Sequence, residues 1–361
     1  MIPLVKVAMP EKSHLMPLLE QALYSGMIAE GEAVYTFEKA FAETFGLETV
    51  LAVSSGTAAL HAALTLAGVG PGDEVISTPM TAEPTNTSVL YCGATVVWAD
   101  VDPISGNMDP ESVAAKISRK TKAILCVHYA GYPVRLRELR QIADRHGIPL
   151  IEDCAHALGA KYEGRSVGLI GDYGIFSFQA IKHMTTVDGG MLTISDPSKL
   201  DAAKRFRWFG MLKGVPRTEV DISSVGYKYN MNNVTATIGL AQLVRIQSLL
   251  QRHVENGRFF DSCFSQMGSL DFARCDERAE SSYWLYTLLS DHNLDIEKLL
   301  TANGVSASKL HRPNNLHSIF KSSAAALPGL DEFYRRLLHI PCGWWVDESQ
   351  RQHIVDLIRR G

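Results

Sequence analysis

Short apolar runs alternate with longer helix-like segments over the first two thirds of the chain. Runs of this kind, bounded by turn residues, are typical of strands buried on both faces of a sheet, with helices covering those faces. The pattern predicts helices at residues 58–67, 85–91 and 136–146. It predicts strands at residues 49–53, 74–77, 95–99, 123–128, 149–152, 173–178 and 191–194.

The pattern changes in the last third, where one long helix is predicted at residues 240–265. A strand at 283–289 and helices at 296–303 and 348–360 follow it. We therefore expect an α/β fold with two parts. The first is a large, mostly parallel-sheet domain at residues 1–245, and the second is a smaller C-terminal α+β domain at residues 246–361.

Composition narrows the class of protein. The 361 residues, 46% of them hydrophobic, are enough for these cores, and a formal net charge of -4 gives no general attraction to nucleic acid or anionic membrane. No segment approaches the roughly 18 apolar residues of a membrane-spanning helix, so we expect a cytoplasmic protein. The six cysteines are scattered without a C-x-x-C pair, and we expect neither a disulfide framework nor a metal site.

A candidate phosphate site lies between the first predicted strand and its helix, in Ser54-Ser55-Gly56-Thr57. Open α/β sheets bind ligands at the carboxyl ends of their strands. The free N–H groups of a helix N-terminus attract anions, and glycine allows a phosphate to approach closely. An ordinary helix cap with a turn glycine is the alternative interpretation.

Two charged residues also follow buried strands. Asp153 could pair with a protonated ring nitrogen, or it could be a helix cap or part of a structural salt bridge. Lys182 comes after the aromatic run 176–178 and before a glycine-rich turn at 188–190. Burial lowers the pKa of a lysine and makes its amine nucleophilic, although a lysine can also extend to the surface.

A phosphate cradle, a pyridinium partner and a lysine that forms a Schiff base are the three parts of a pyridoxal phosphate site. They occur here in the order Gly56-Thr57, Asp153 and Lys182. The combination predicts a pyridoxal-phosphate enzyme with Lys182 as the Schiff-base lysine. A fourth segment, residues 226–233, precedes a small-residue helix and could also be an ordinary capped helix start.

From about residue 28 to residue 357 the chain resembles the DegT/DnrJ/EryC1/StrS family of sugar aminotransferases. The resemblance rests on the segments SSGTAALHAAL, GDEVISTP, LIEDCAHALGA and GDYGIFSFQAIKHMTTVDGG. It implies the fold type I aminotransferase architecture and a homodimer with active sites at the subunit interface.

The resemblance also assigns roles to residues. It places Lys182 at the aldimine lysine, Asp153 at the partner of the pyridine nitrogen, and His156 where a side chain hydrogen-bonds the phenolic oxygen. It gives phosphate-binding positions to Gly56, Thr57 and Ser177.

The chain departs from the family pattern at two positions. Ala82 stands where relatives have an aromatic residue stacked on the cofactor ring, and Lys228 stands where they have an asparagine that reaches the phosphate from the second subunit. We expect both residues to lie at the cofactor, with Lys228 acting across the dimer.

The implied reaction transfers an amino group from L-glutamate to a keto-sugar, which we expect to be nucleotide-linked. Substrate contacts are predicted at His311, Arg312 and Trp345, although surface loops and core tryptophans explain these residues equally well. A sugar dehydratase of the same family is an alternative, but such members carry histidine in place of Lys182. A non-catalytic regulator with this fold is a second alternative, and no basic DNA-reading helix supports it.

Overall fold

The computed structural model describes residues 1–268 and 270–360. The helices within these residues are α1 Lys12–Tyr24, α2 Glu32–Phe45, α3 Gly56–Leu66, α4 Glu83–Tyr91, α5 Pro110–Lys116, α6 Leu136–His146, α7 Leu200–Arg207, α8 Asn233–Phe264, α9 Asn293–Ala302, α10 Pro328–Arg336 and α11 Glu348–Arg360. The strands of the same residues are β1 Val50–Val53, β2 Glu74–Ser77, β3 Thr95–Trp98, β4 Thr121–Val127, β5 Leu150–Asp153, β6 Lys161–Tyr162, β7 Arg165–Ser166, β8 Tyr173–Ser177, β9 Gly190–Ile194, β10 Asp271–Phe272, β11 Ala279–Glu280, β12 Tyr286–Leu289 and β13 Leu337–Ile340.

The large sheet contains all seven strands predicted for the first two thirds of the chain. Its order is β1-β9-β8-β5-β4-β2-β3. Strand β9 runs antiparallel to both β1 and β8, and the other neighbouring pairs are parallel. The predicted mostly parallel α/β fold is confirmed.

Both faces of this sheet are covered. In β1, Leu51 and Val53 enter one hydrophobic cluster and Ala52 enters another. Successive side chains of a strand point to opposite faces, so these two clusters are the two sides of the sheet. This double burial explains why the strands of the sequence are continuously apolar rather than alternating.

Close backbone approach places the start of α3 against β9. A Cβ atom at Gly190 would lie 2.6 Å from the carbonyl carbon of Ser55, which is nearer than real Cβ contacts permit. Glycine at 190 therefore allows the N-terminus of α3 to sit at the sheet edge where β8 also ends.

The C-terminal part contains the antiparallel sheet β10-β12-β13, with α9 and α11 in contact with each other. Helix α8 continues without a break across the predicted boundary at 245/246. The chain start also reaches this part, because the Ile2 amide donates to the Gly304 carbonyl. The division into domains at that boundary stays a prediction.

Within residues 1–268 and 270–360, no helix combines the length and the apolarity that crossing a membrane requires.

Candidate active site

A cavity of about 500 Å³ lies at the carboxyl ends of β5 and β8, beside the start of α3. The structure brings eight predicted site residues, distant in sequence, to its wall. They are Gly56, Thr57, Ala82, Asp153, His156, Ser177, Lys182 and His311.

The N-terminus of α3 forms one end of the cavity. Helix α3 begins at Gly56, and the side chain of Ser55 accepts a hydrogen bond from the Ala58 amide at 3.1 Å. A Cβ atom at Gly56 would lie 2.9 Å from Cβ of Ser177, so only glycine lets this serine approach so closely. A helix N-terminus beside a hydroxyl is a suitable cradle for a phosphate.

Asp153 contributes a carboxylate to the cavity wall, and only 3% of the residue is exposed. The Thr85 hydroxyl donates to Oδ2 at 2.8 Å and the Ala155 amide donates to Oδ1 at 3.0 Å. Burial raises the pKa of Asp153, while these two hydrogen bonds and the positive charge of Lys182 lower it. A buried carboxylate of this kind favours a cationic partner.

Lys182 faces the same cavity, and its Nζ atom lies 4.2 Å from the ring centroid of Trp284. Burial lowers the pKa of Lys182 to about 8, and the Asp153 carboxylate opposes that shift. A substantial fraction of the amine is therefore neutral near physiological pH, which is the nucleophilic form.

His156 lies between aromatic rings. Its imidazole stacks on Trp284 at a centroid distance of 4.1 Å, and it runs parallel to the ring of His311 at 5.4 Å. Burial lowers the pKa of His156 well below its usual value, so the ring is neutral. Among the described residues its buried Nδ1 has no hydrogen-bond partner, and an acceptor or donor on a ligand would complete it.

These features fit pyridoxal phosphate. The cradle at Gly56 suits the phosphate, the Asp153 carboxylate suits a protonated ring nitrogen, and the unpartnered Nδ1 of His156 suits a ring oxygen. Lys182 supplies an amine at the same cavity. The assignment of each residue to its part of the cofactor stays a prediction.

Ala82 leaves one wall of the cavity without a ring. It is the residue before α4, and its methyl group cannot replace the aromatic side chain that the family pattern has there. Phe176, His156 and His311 contribute rings to the wall, and Trp284 packs behind them against His156.

The structure does not bring the other three predicted residues to this cavity. Lys228 is exposed, with its Nζ atom 4.3 Å from the ring centroid of Trp208. Arg312 is exposed and donates to the Leu316 carbonyl, four residues further along the chain. The Trp345 indole donates to the Pro3 carbonyl. Contact of Arg312 or Trp345 with substrate stays a prediction, and the predicted contact of Lys228 involves a second chain.

Sequence reasoning missed Thr85 and Trp284, and it gave Asn314 no role in the support of the site. Thr85 donates to Asp153, Trp284 contacts Lys182, and Asn314 is fully buried with its side chain donating to the Thr81 carbonyl. Each contact joins residues far apart in the chain. Nothing in the local pattern around Thr85 or Trp284 indicates such a partner, and the polar cluster that contains Asn314 indicates a ligand rather than the Thr81 carbonyl.

Comparison with known proteins agrees with this geometry. The model of the DegT/DnrJ/EryC1/StrS aminotransferase family matches residues 11–359. GDP-perosamine synthase from Caulobacter vibrioides is 33% identical over 326 residues, covering 87% of this chain and 86% of that protein. The sugar aminotransferase CalS13 from Micromonospora echinospora superposes with a TM-score of 0.96 at 37% identity, covering 100% of both chains.

A further solved structure bears on the cofactor. Spr1654 from Streptococcus pneumoniae, solved in its PLP form, superposes with a TM-score of 0.90 at 26% identity, covering 99% of this chain and 98% of that one. The predicted fold class and the predicted cofactor, pyridoxal phosphate, are confirmed. The chain belongs to the DegT/DnrJ/EryC1/StrS aminotransferase family.

Proposed function

We propose that this protein transfers the amino group of L-glutamate to the keto group of a nucleotide-linked sugar. The observation that carries the proposal is the meeting of Lys182 and the buried Asp153 at one cavity beside the N-terminus of α3. The names of its relatives, GDP-perosamine synthase and the sugar aminotransferase CalS13, support a sugar as the acceptor.

Bound pyridoxal phosphate supplies an electron sink for chemistry at the carbon that carries the amino group. Asp153 would keep the ring nitrogen protonated, because its buried carboxylate favours a positive charge beside it. Lys182 would hold the cofactor through Nζ. As a free amine, the same Nζ would take up and return a proton, for which a pKa of about 8 is well placed.

His156 holds the cofactor in a different way. Its ring is neutral and stacked, so it can form a hydrogen bond without adding charge to the site.

An amine at position 182, where family dehydratases carry histidine, favours amino transfer over dehydration.

The proposal includes a homodimer in which Lys228 of one subunit contacts the cofactor phosphate of the other. The exposure of Lys228 and its place outside the cavity of its own chain are consistent with such a contact. Location in the cytoplasm stays a prediction.

The test is amino transfer with purified protein, pyridoxal phosphate and L-glutamate. A panel of GDP-, UDP- and dTDP-linked keto-sugars is supplied, together with the same sugars lacking the nucleotide. Formation of 2-oxoglutarate and of an amino sugar, both identified by mass spectrometry, is the expected result. A product that gains no nitrogen, or turnover confined to sugars without a nucleotide, would contradict the proposal.

A further inference from the structure

Trp284 contacts three residues of the cavity wall although it does not line the cavity itself. Its ring centroid lies 4.2 Å from Nζ of Lys182, 4.1 Å from the centroid of His156 and 6.3 Å from that of His311. Only 2% of Trp284 is exposed, so its orientation is fixed by packing. One indole ring thus joins Lys182, His156 and His311.

The indole is also tied to the backbone that carries the lysine. Its Nε1–H donates to the carbonyl of Ile181 at 3.0 Å, and Ile181 is the residue before Lys182. The hydrogen bond fixes the ring relative to the start of the Lys182 side chain, and the ring face meets the end of that side chain.

A ring face distinguishes the two protonation states of the amine. An ammonium over an indole is attracted by the ring quadrupole, and a neutral amine is not. The other groups that face Lys182 are the Asp153 carboxylate and the imidazoles of His156, His183 and His311. Burial lowers the pKa of all three imidazoles, so Asp153 and the indole are the groups that favour the charged lysine.

We propose that Trp284 is a positioning residue for the reaction. Its indole receives the Lys182 ammonium when the amine is not attached to the cofactor. Its stacking contact with His156 fixes the orientation of that imidazole ring. This inference rests on the proposed role of Lys182. It predicts that the indole keeps the amine charged and in place between the two halves of the reaction.

The test compares Trp284→Leu, which keeps an apolar side chain without a ring, with Trp284→Phe, which keeps a ring but cannot donate to Ile181. Trp98→Leu is the matched control, because Trp98 is equally buried and packs on Phe320 in the core. Each full-length chain is stripped of cofactor and labelled with acetic anhydride across a range of pH. The labelled fraction of the Lys182 peptide is read by mass spectrometry, and melting temperature is recorded in parallel.

The expected result is a pKa of Lys182 lower by roughly 0.5 to 1.5 pH units in Trp284→Leu, with Trp284→Phe between that variant and the wild type. Trp98→Leu should leave the labelling curve of Lys182 unchanged. The acid limb of the glutamate half-reaction should move in the same direction in the loaded enzyme.

A labelling curve unchanged in Trp284→Leu, or displaced equally by Trp98→Leu, would overturn the inference. If Trp284→Leu does not fold, an unchanged curve in Trp284→Phe overturns it instead. The titration of Lys182 is measured without cofactor, so it is independent of whether Lys182 attaches pyridoxal phosphate. Failure of the inference and failure of the proposed function are therefore distinguishable.

Discussion

Replacing Asp153 with asparagine should separate stability from function at this cavity. Asparagine keeps the shape of the side chain and can still accept from the Ala155 amide. The side-chain NH2 group of the asparagine can donate to the Thr85 hydroxyl oxygen. The Thr85 hydroxyl can then donate to the Thr81 hydroxyl, which lies 2.8 Å away. Because both hydrogen bonds are replaced, the direct cost to stability should stay below about 1 kcal/mol.

The charge of Asp153 acts against stability when no cofactor is bound. Burial makes its pKa higher in the folded chain than in the unfolded chain. The folded chain therefore binds more protons between those two values, so the contribution of Asp153 to stability falls as pH rises from about 3.9 through the folded pKa. Asparagine has no such titration, and the cofactor-free variant should equal or exceed the wild type in stability at neutral pH.

Cofactor binding should respond in the opposite direction. A hydrogen bond to a charged group contributes about 1.5–3 kcal/mol, so loss of the Asp153 charge should weaken pyridoxal phosphate binding roughly 10- to 100-fold. Amino transfer should fall by orders of magnitude, because an amide cannot keep the ring nitrogen protonated by charge.

The assay is denaturant unfolding of both cofactor-free chains at several pH values, with cofactor affinity measured by equilibrium dialysis. Asp172→Asn is the control, because Asp172 accepts from the Leu150 amide and from Arg140 near the start of the strand β8. That variant should lose stability and keep its affinity. An Asp153→Asn chain that is several kcal/mol less stable at every pH, or that binds cofactor normally, would refute the reasoning.

Three further outcomes are expected. Gly56→Ala places a Cβ atom 2.9 Å from Cβ of Ser177, and relieving this overpacking costs about 1–3 kcal/mol. The displaced cradle should bind the cofactor more weakly, which equilibrium dialysis measures. Asn314→Ala and Asn293→Ala each remove buried hydrogen bonds to carbonyls and should lower the melting temperature similarly, but only the former should raise KM for the keto-sugar; equal KM values would contradict this. Mixing Lys228→Ala with Lys182→Ala chains should restore activity above either parent if Lys228 acts across the dimer, and mixed dimers without activity would exclude it.

The sequence predicts the large sheet well because its strands, apart from the edge strand β3, are largely buried on both faces. All seven strands are predicted, and β2 and α6 occur at the predicted residues. The helices α1 and α2 were not predicted, and α2 is anchored by packing on α8, a contact made across nearly two hundred residues. Packing between distant segments leaves little trace in local periodicity.

The candidate active site also combines residues that the local sequence pattern indicates with residues that only the folded structure brings together. The pattern indicates Gly56, Asp153 and Lys182 because each lies at or a few residues beyond the carboxyl end of a strand, where parallel sheets place their ligand-binding residues. Trp284 and Thr85 were missed because their importance comes from side-chain contacts across the fold rather than from their place in an element.

The central claim is that Lys182 is the residue to which pyridoxal phosphate is attached. Treating the loaded enzyme with borohydride fixes the cofactor on its amine, and mass spectrometry of the digest locates it. We predict that the added mass lies on Lys182 alone, and that prior incubation with L-glutamate prevents the addition. Addition at another lysine with Lys182 unmodified would contradict the account.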